Sequence, residues 1–256
     1  MFNNEIYDSK NSVDNIFNSK DRSNADISEN VDKKMNYNKL VDSISAELDD
    51  KTIFDKSIIQ IEKAVNAAKN NELIVIPTDT VYGIGIKPDL KENIQKILSA
   101  KGRTIQKPPP VLVASYSQLC DIAVVSDLEK KLVEKFWPGP LTLVLKMRPE
   151  INWCLGGKNR TIAVRMPDES LTLSILDRTG PLAVTSANLT GMPPALLVDD
   201  AKSYFGDLVA AYVDGGRAKI GSSSTIVDLT CEHGKILRQG SVTRKMLLDF
   251  LPNLPE

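Results

Sequence analysis

The chain has 256 residues, 42% hydrophobic and 25% charged, with a formal net charge of −1. This is the composition of a globular chain with room for one large domain or two small ones. No run approaches the roughly 20 apolar residues of a membrane span, and the near-neutral total excludes the basic field of a nucleic-acid-coating protein. The charge is uneven: residues 1–50 carry six Lys/Arg against eleven Asp/Glu, whereas residues 51–256 carry 26 against 22. Cys120, Cys154 and Cys231 are odd in number and far apart, so they form neither a disulfide framework nor a CxxC metal site, and a reducing, cytoplasmic setting is expected. The single histidine, His233, sits in a turn-like Glu-His-Gly string, which argues against a zinc enzyme or a Ser-His-Asp hydrolase.

In chain order, residues 1–50 are rich in Asn, Asp, Ser and Lys, without a signal peptide's apolar core, and predict a disordered or weakly helical extension. A folded domain is expected over 51–256. From Ser57 the period is helical, with Ile58, Ile61, Val65 and Ala68 on one face. Leu73 to Ile76 is an apolar run of strand length ended by Pro77, and 78–85 reads as a polar turn with two glycines. A helix over 90–100 delivers Lys101. Three prolines, Pro108 to Pro110, end it and lead into a strand over 111–114. Ser126 and Glu129 make a capping-box pattern for a helix through Phe136, which Trp137-Pro-Gly-Pro140 breaks. Strands are expected over 141–145, 161–164, 182–184, 209–213, 225–229 and 235–237. Helices are expected over 170–178, 199–205 and 243–251, with a loop over 148–160. Interspersed strands and helices without an internal linker give a single-domain α/β fold.

Polar clusters follow or precede these strands at 78–82, 165–168, 185–188 and 222–225. Open α/β sheets bind ligands at strand ends, although each cluster alone is also ordinary turn chemistry. Lys101 and Arg103 are harder to assign to a turn, because turns need no permanent cations. The chain has neither GxxxxGK[ST] nor GxGxxG, so a bound nucleotide must be held by cations and by Ser, Thr and Asn side chains.

The string Pro77-Thr-Asp-Thr-Val-Tyr-Gly83 resembles the opening motif of the YrdC-type threonylcarbamoyl-AMP synthases. Lys101-Gly-Arg103, Trp137-Pro-Gly-Pro-Leu-Thr142, Val164-Arg-Met-Pro167, Ser186-Ala-Asn188, Ser224-Thr-Ile-Val-Asp228 and Leu237-Arg-Gln-Gly240 follow in that family's order. The resemblance covers about 57–245. It implies a YrdC-like twisted open sheet with flanking helices around a positively charged cavity. It also implies the reaction of L-threonine, bicarbonate or CO2 and ATP, with Mg2+, to threonylcarbamoyl-adenylate and pyrophosphate. The product feeds N6-threonylcarbamoylation of tRNA adenosine 37 by a separate transferase complex. By the same resemblance, Lys101, Arg103, Ser186 and Asn188 form the catalytic set. Lys101, Arg103, Thr161, Asn188 and Ser224 are expected at ATP, and Thr80, Tyr82, Arg165 and Ser186 at threonine. Many members of that family read Pro-Leu-Ile-Val-His after the Lys-x-Arg motif, whereas this chain reads Pro108-Pro-Pro-Val-Leu-Val113. The alternative is a non-enzymatic module of the same fold that contacts tRNA or double-stranded RNA.

Overall fold

Side chains alternate between two apolar cores along the strands, as the two-residue period of a strand requires. Ile74 and Ile76 face one core and Val75 the other; Leu112 and Val111, then Leu182 and Ala183, divide in the same way. The structure, a computed structural model, describes residues 51–102, 108–155 and 160–255, with only the helical backbone given for 51–55. The expected extension over 1–50 lies outside the described residues, as do Arg103 and the pair Gly156-Gly157.

The strands are β1 Ile74–Ile76, β2 Gly83–Ile86, β3 Val111–Leu112, β4 Leu141–Lys146, β5 Thr161–Arg165, β6 Leu182–Ser186, β7 Ala211–Tyr212, β8 Thr225–Asp228 and β9 Lys235–Arg238. They form one mixed sheet in the order β7-β1-β2-β6-β3-β5-β4-β8-β9. The helices are α1 Lys51–Lys69, α2 Lys91–Ala100, α3 Tyr116–Ile122, α4 Asp127–Phe136, α5 Ser170–Thr179, α6 Val198–Phe205 and α7 Arg244–Leu247. Residues of α1 and α5 pack on one face, over β7, β1, β6 and β3. Residues of α2, α3, α4, α6 and α7 pack on the other face along most of the sheet. The α/β class and single-domain reading therefore hold for the described residues. Among these, no helix is long and apolar enough to cross a membrane.

The two helical layers are unequal, and that inequality places the site. On the α1/α5 side the cover stops at β3. Beyond it, Val144, Ala163 and Ile226 are half-buried and belong to neither core. One half of the sheet is thus covered on both faces by the described residues, and the other half presents a face that no described helix covers.

Some expectations need correction. Residues 83–86 form a strand, not a turn. Gly83 and Gly85 are there because a Cβ at either position would stand 2.4 Å or 2.9 Å from a Val184 methyl carbon on the neighbouring strand. Helix α3 was not anticipated. Its signal is local: Ser115 is the N-cap, accepting at Oγ from the Gln118 amide at 3.2 Å. Ile58 is 40% exposed, because the first turns of α1 run beyond the core that buries Ile61 and Val65. The closing helix is a short one, Arg244–Leu247. The capping box of α4 forms as its sequence requires, with Glu129 accepting from the Ser126 amide at 2.9 Å.

Candidate anion-binding cleft

The open half of the sheet carries a row of cross-strand neighbours. Leu112 pairs with Arg165, Thr142 with Ile226, and Ile226 with Arg238. Because β4 sets Leu143 against Val164, Thr142 stands beside Arg165 in that row. Paired residues share a face, so two guanidinium groups and a hydroxyl are delivered to one side of the sheet by register alone. The cleft lies over this row. Thr78, residues 80–83, Pro110, Val184, Ser186 and Ser223–Ser224 complete its wall.

Arg165 is 6% exposed. Its Nε donates to Gly139 O at 2.9 Å, Nη1 donates to Thr80 Oγ1 at 2.8 Å, and Nη2 pairs with Asp79 Oδ1. Burial pulls the guanidinium below its ordinary pKa, and the Asp79 carboxylate opposes that pull. Thr80 in turn shares a 2.9 Å hydrogen bond with Thr78, whose hydroxyl donates to Val81 O at 2.6 Å. The opening string is therefore a closed hydroxyl chain ending on Arg165.

Tyr82 contributes part of the cleft wall, but its hydroxyl is turned to the 215–216 turn. It donates to Gly216 O at 2.6 Å and accepts from the Gly215 amide at 3.1 Å. Burial raises the phenol above its ordinary pKa, and the Gly215 amide acts against that rise. The 215–216 turn thus takes both hydrogen bonds of the hydroxyl in this arrangement.

At the other wall, Ser224 Oγ and Thr142 Oγ1 share a 2.8 Å hydrogen bond. Arg238 donates through Nη2 to Ser224 Oγ at 3.0 Å and through Nε to Ser224 O at 2.9 Å. Arg238 has no carboxylate partner among the described residues, so it brings an uncompensated charge to the cleft. Its sequence string assigns it no role; the signal is its place opposite Ile226 on β8, two residues after Ser224.

Lys101 caps the end of α2 and is 3% exposed, and it is not part of the cleft wall. Its ammonium donates to Ser186 O and, at 2.7 Å, to Asn188 O, while Thr190 donates back to Lys101 O. Asn188 Nδ2 donates to Leu189 O at 2.9 Å and Met192 O at 2.8 Å. The structure thus joins the Lys-x-Arg and Ser-x-Asn strings, with Ser186 facing the cleft and Lys101 behind it. Thr161 occupies the far end of β5, in a second hollow with Lys146, Arg160 and Thr230. It shares the open face with Ala163 and Arg165, four residues and about 13 Å along the strand from the latter.

Such a site, cationic and hydroxyl-rich at the ends of strands in an open α/β sheet, has the chemistry to receive an anionic ligand. The chain belongs to the Sua5/YciO/YrdC family: that family's model, described as "Telomere recombination", matches residues 66–240. A Mycobacterium leprae protein is 41% identical over 196 residues, covering 76% of this chain and 89% of its own length. The threonylcarbamoyl-AMP synthase of Photobacterium profundum is 35% identical over 184 residues, covering 70% of this chain and 98% of its own. Among solved structures, P. abyssi Sua5 complexed with L-threonine superposes with a TM-score of 0.72 at 31% identity, over 76% of this chain and 58% of that one. The chain spans little more than half the length of that Sua5 protein.

Proposed function

We propose that this protein is a threonylcarbamoyl-AMP synthase, a nucleotidyltransferase that uses L-threonine, bicarbonate or CO2, and Mg-ATP. One observation carries the assignment. Strings far apart in the sequence, at 77–83, 137–142, 164–167, 186–188, 224–228 and 237–240, converge on one cleft and its immediate supports. The name of the P. profundum relative and the threonine complex of P. abyssi Sua5 support the same chemistry.

In this reading threonine's carboxylate meets Arg165, and its side chain lies toward Leu112 and Pro110, an apolar wall. The nucleotide runs from Arg238 along the open face toward Thr161, with its base over Val144, Ala163 and Ile226. Threonine's amine adds to CO2, releasing a proton. A carbamate oxygen then attacks the α-phosphorus of ATP, and pyrophosphate leaves. Both reactants are anionic, so cations and positioning do the main work. Among the described residues, no group of three or more His, Cys, Asp or Glu is placed to hold a metal ion; the magnesium would arrive on the phosphates of ATP. Arg103, outside the described residues, and Lys101 are assigned to the nucleotide side with Asn188 and Ser224, and Ser186 to the threonine side. The product would pass in the cytoplasm to a transferase complex that modifies tRNA.

The test is pyrophosphate release with each substrate omitted in turn. Release that requires threonine, bicarbonate and Mg-ATP together is expected. Release indifferent to threonine sinks the assignment, and RNA binding without ATP turnover replaces it with an RNA-binding module.

A further inference from the structure

One buried acid has no part in the chemistry above. Asp79 is 3% exposed and stands behind the cleft wall. Its Oδ1 accepts from Arg165 Nη2 and from the Asp168 amide at 3.2 Å, whereas its Oδ2 is buried and has no partner. A buried acceptor without a donor is uncommon enough to need a reason.

The reason lies in how Arg165 is held. A guanidinium carries five N–H donors. Gly139 O takes the one on Nε, Thr80 Oγ1 takes one on Nη1, and Asp79 Oδ1 takes one on Nη2. Acceptors in three directions fix both the position and the plane of the group. A two-oxygen carboxylate fork would occupy both terminal nitrogens from one side. By accepting through Oδ1 alone, Asp79 leaves one N–H on each terminal nitrogen without a protein acceptor among the described residues. Asp79 also supplies the counter-charge. Arg238 faces Arg165 and acts, with burial, against the charged guanidinium, and Asp79 is the one carboxylate in ion-pair contact with it among the described residues.

We propose that Asp79 is a positioning residue for the amino-acid substrate: its single-oxygen contact holds the Arg165 guanidinium in place, oriented and with donors to spare for a carboxylate. The proposal rests on the reading that Arg165 receives threonine, and it concerns binding through Arg165 rather than contact with any reacting atom.

Asp79→Asn is a suitable probe, because it keeps an oxygen at Oδ1 and removes the charge at an oxygen that makes no hydrogen bond. The readouts are kcat/KM for threonine, kcat/KM for ATP at saturating threonine, and the melting temperature. The expected result is a loss of about tenfold or more in kcat/KM for threonine, the scale of losing a group that orients a binding residue, with the ATP value within about threefold. In an Arg165→Gln background the same change should cost less than about twofold, since the group it positions is gone. Should Asp79→Asn fail to fold, Asp79→Glu keeps the charge while displacing the carboxylate. It should weaken threonine several-fold and spare ATP. Equal losses for both substrates, no loss for threonine, or an undiminished loss in the Arg165→Gln background would each overturn the proposal. A wild-type protein that turns over ATP without threonine overturns the functional reading itself, and the proposal falls with it.

Discussion

Two buried cations flank the cleft, and they are held in opposite ways. Arg165, 6% exposed, faces a carboxylate as well as a carbonyl and a hydroxyl. Lys101, 3% exposed, donates to the carbonyls of Ser186 and Asn188, a turn that it organises. The difference follows the chemistry of the two groups. A planar fork gains from acceptors in fixed directions, whereas an ammonium is a point charge that adapts to the dipoles around it. Arg165 is therefore a presented group and Lys101 a clamp behind a presented loop. Charge removal at the first should leave a buried anion, and at the second should desert two carbonyls.

Substitutions can break or sharpen this contrast. The largest effect is expected for Arg165→Ala, which strands Asp79. Breaking one side of a buried pair costs about 3–5 kcal/mol, read as a lower urea midpoint, and Asp79→Asn on the same chain should recover part of it. Lys101→Met keeps the apolar stem and removes the charge. It should cost about 1–3 kcal/mol for the two deserted carbonyls and reduce turnover about a hundredfold, because the Ser186 loop loses its anchor beside the reacting groups. Equal destabilisation by the two changes would erase the distinction between the cation set against Asp79 and the one set against the Ser186 and Asn188 carbonyls.

The smallest effect is expected at a group with no charge in the neutral range. Tyr82→Phe removes the donor to Gly216 O and the acceptor for the Gly215 amide, at about 1 kcal/mol. Its sign with pH is fixed. The folded state holds the phenol protonated above its ordinary pKa, so the contribution is complete below pH ~10 and lost as the pH rises beyond it. Melting temperatures taken upward from pH 9 should fall more steeply in the wild type than in Tyr82→Phe. Tyr116, pushed up to about 12 chiefly by burial, leaves some slope in both.

Much of this was legible in the sequence, for reasons that are local. The run 73–76 is apolar throughout because both its faces are covered. Ser126 and Glu129 lie within one turn of each other, so their capping box needs no knowledge of the fold. The ordered strings gave the cleft's residues, since a string carries its own order. What the sequence hid is non-local. Gly83 and Gly85 look like a turn until Val184, some hundred residues later, lies across them. Tyr82 sits in the opening string, but its hydroxyl's partners lie in the 215–216 turn, more than 130 residues away. Asp79 has the form of a turn residue, and only the register of β5 brings it to Arg165. Thr161 is placed by strand geometry at a distance from Arg165 that no string records.

The bonds that stitch the cleft together have a consequence for how the chain becomes active. Asp79 to Arg165 spans 86 residues, Thr142 to Ser224 spans 82, Lys101 to Ser186 spans 85 and Tyr82 to Gly216 spans 134. Each closes a long loop whose entropy must be overcome before the contact contributes anything. No segment of the chain can build a working part of the cleft ahead of the rest, and non-local pairing of this kind is slow. On refolding from denaturant, substrate affinity should therefore return with the completed sheet and not with the earlier appearance of helix.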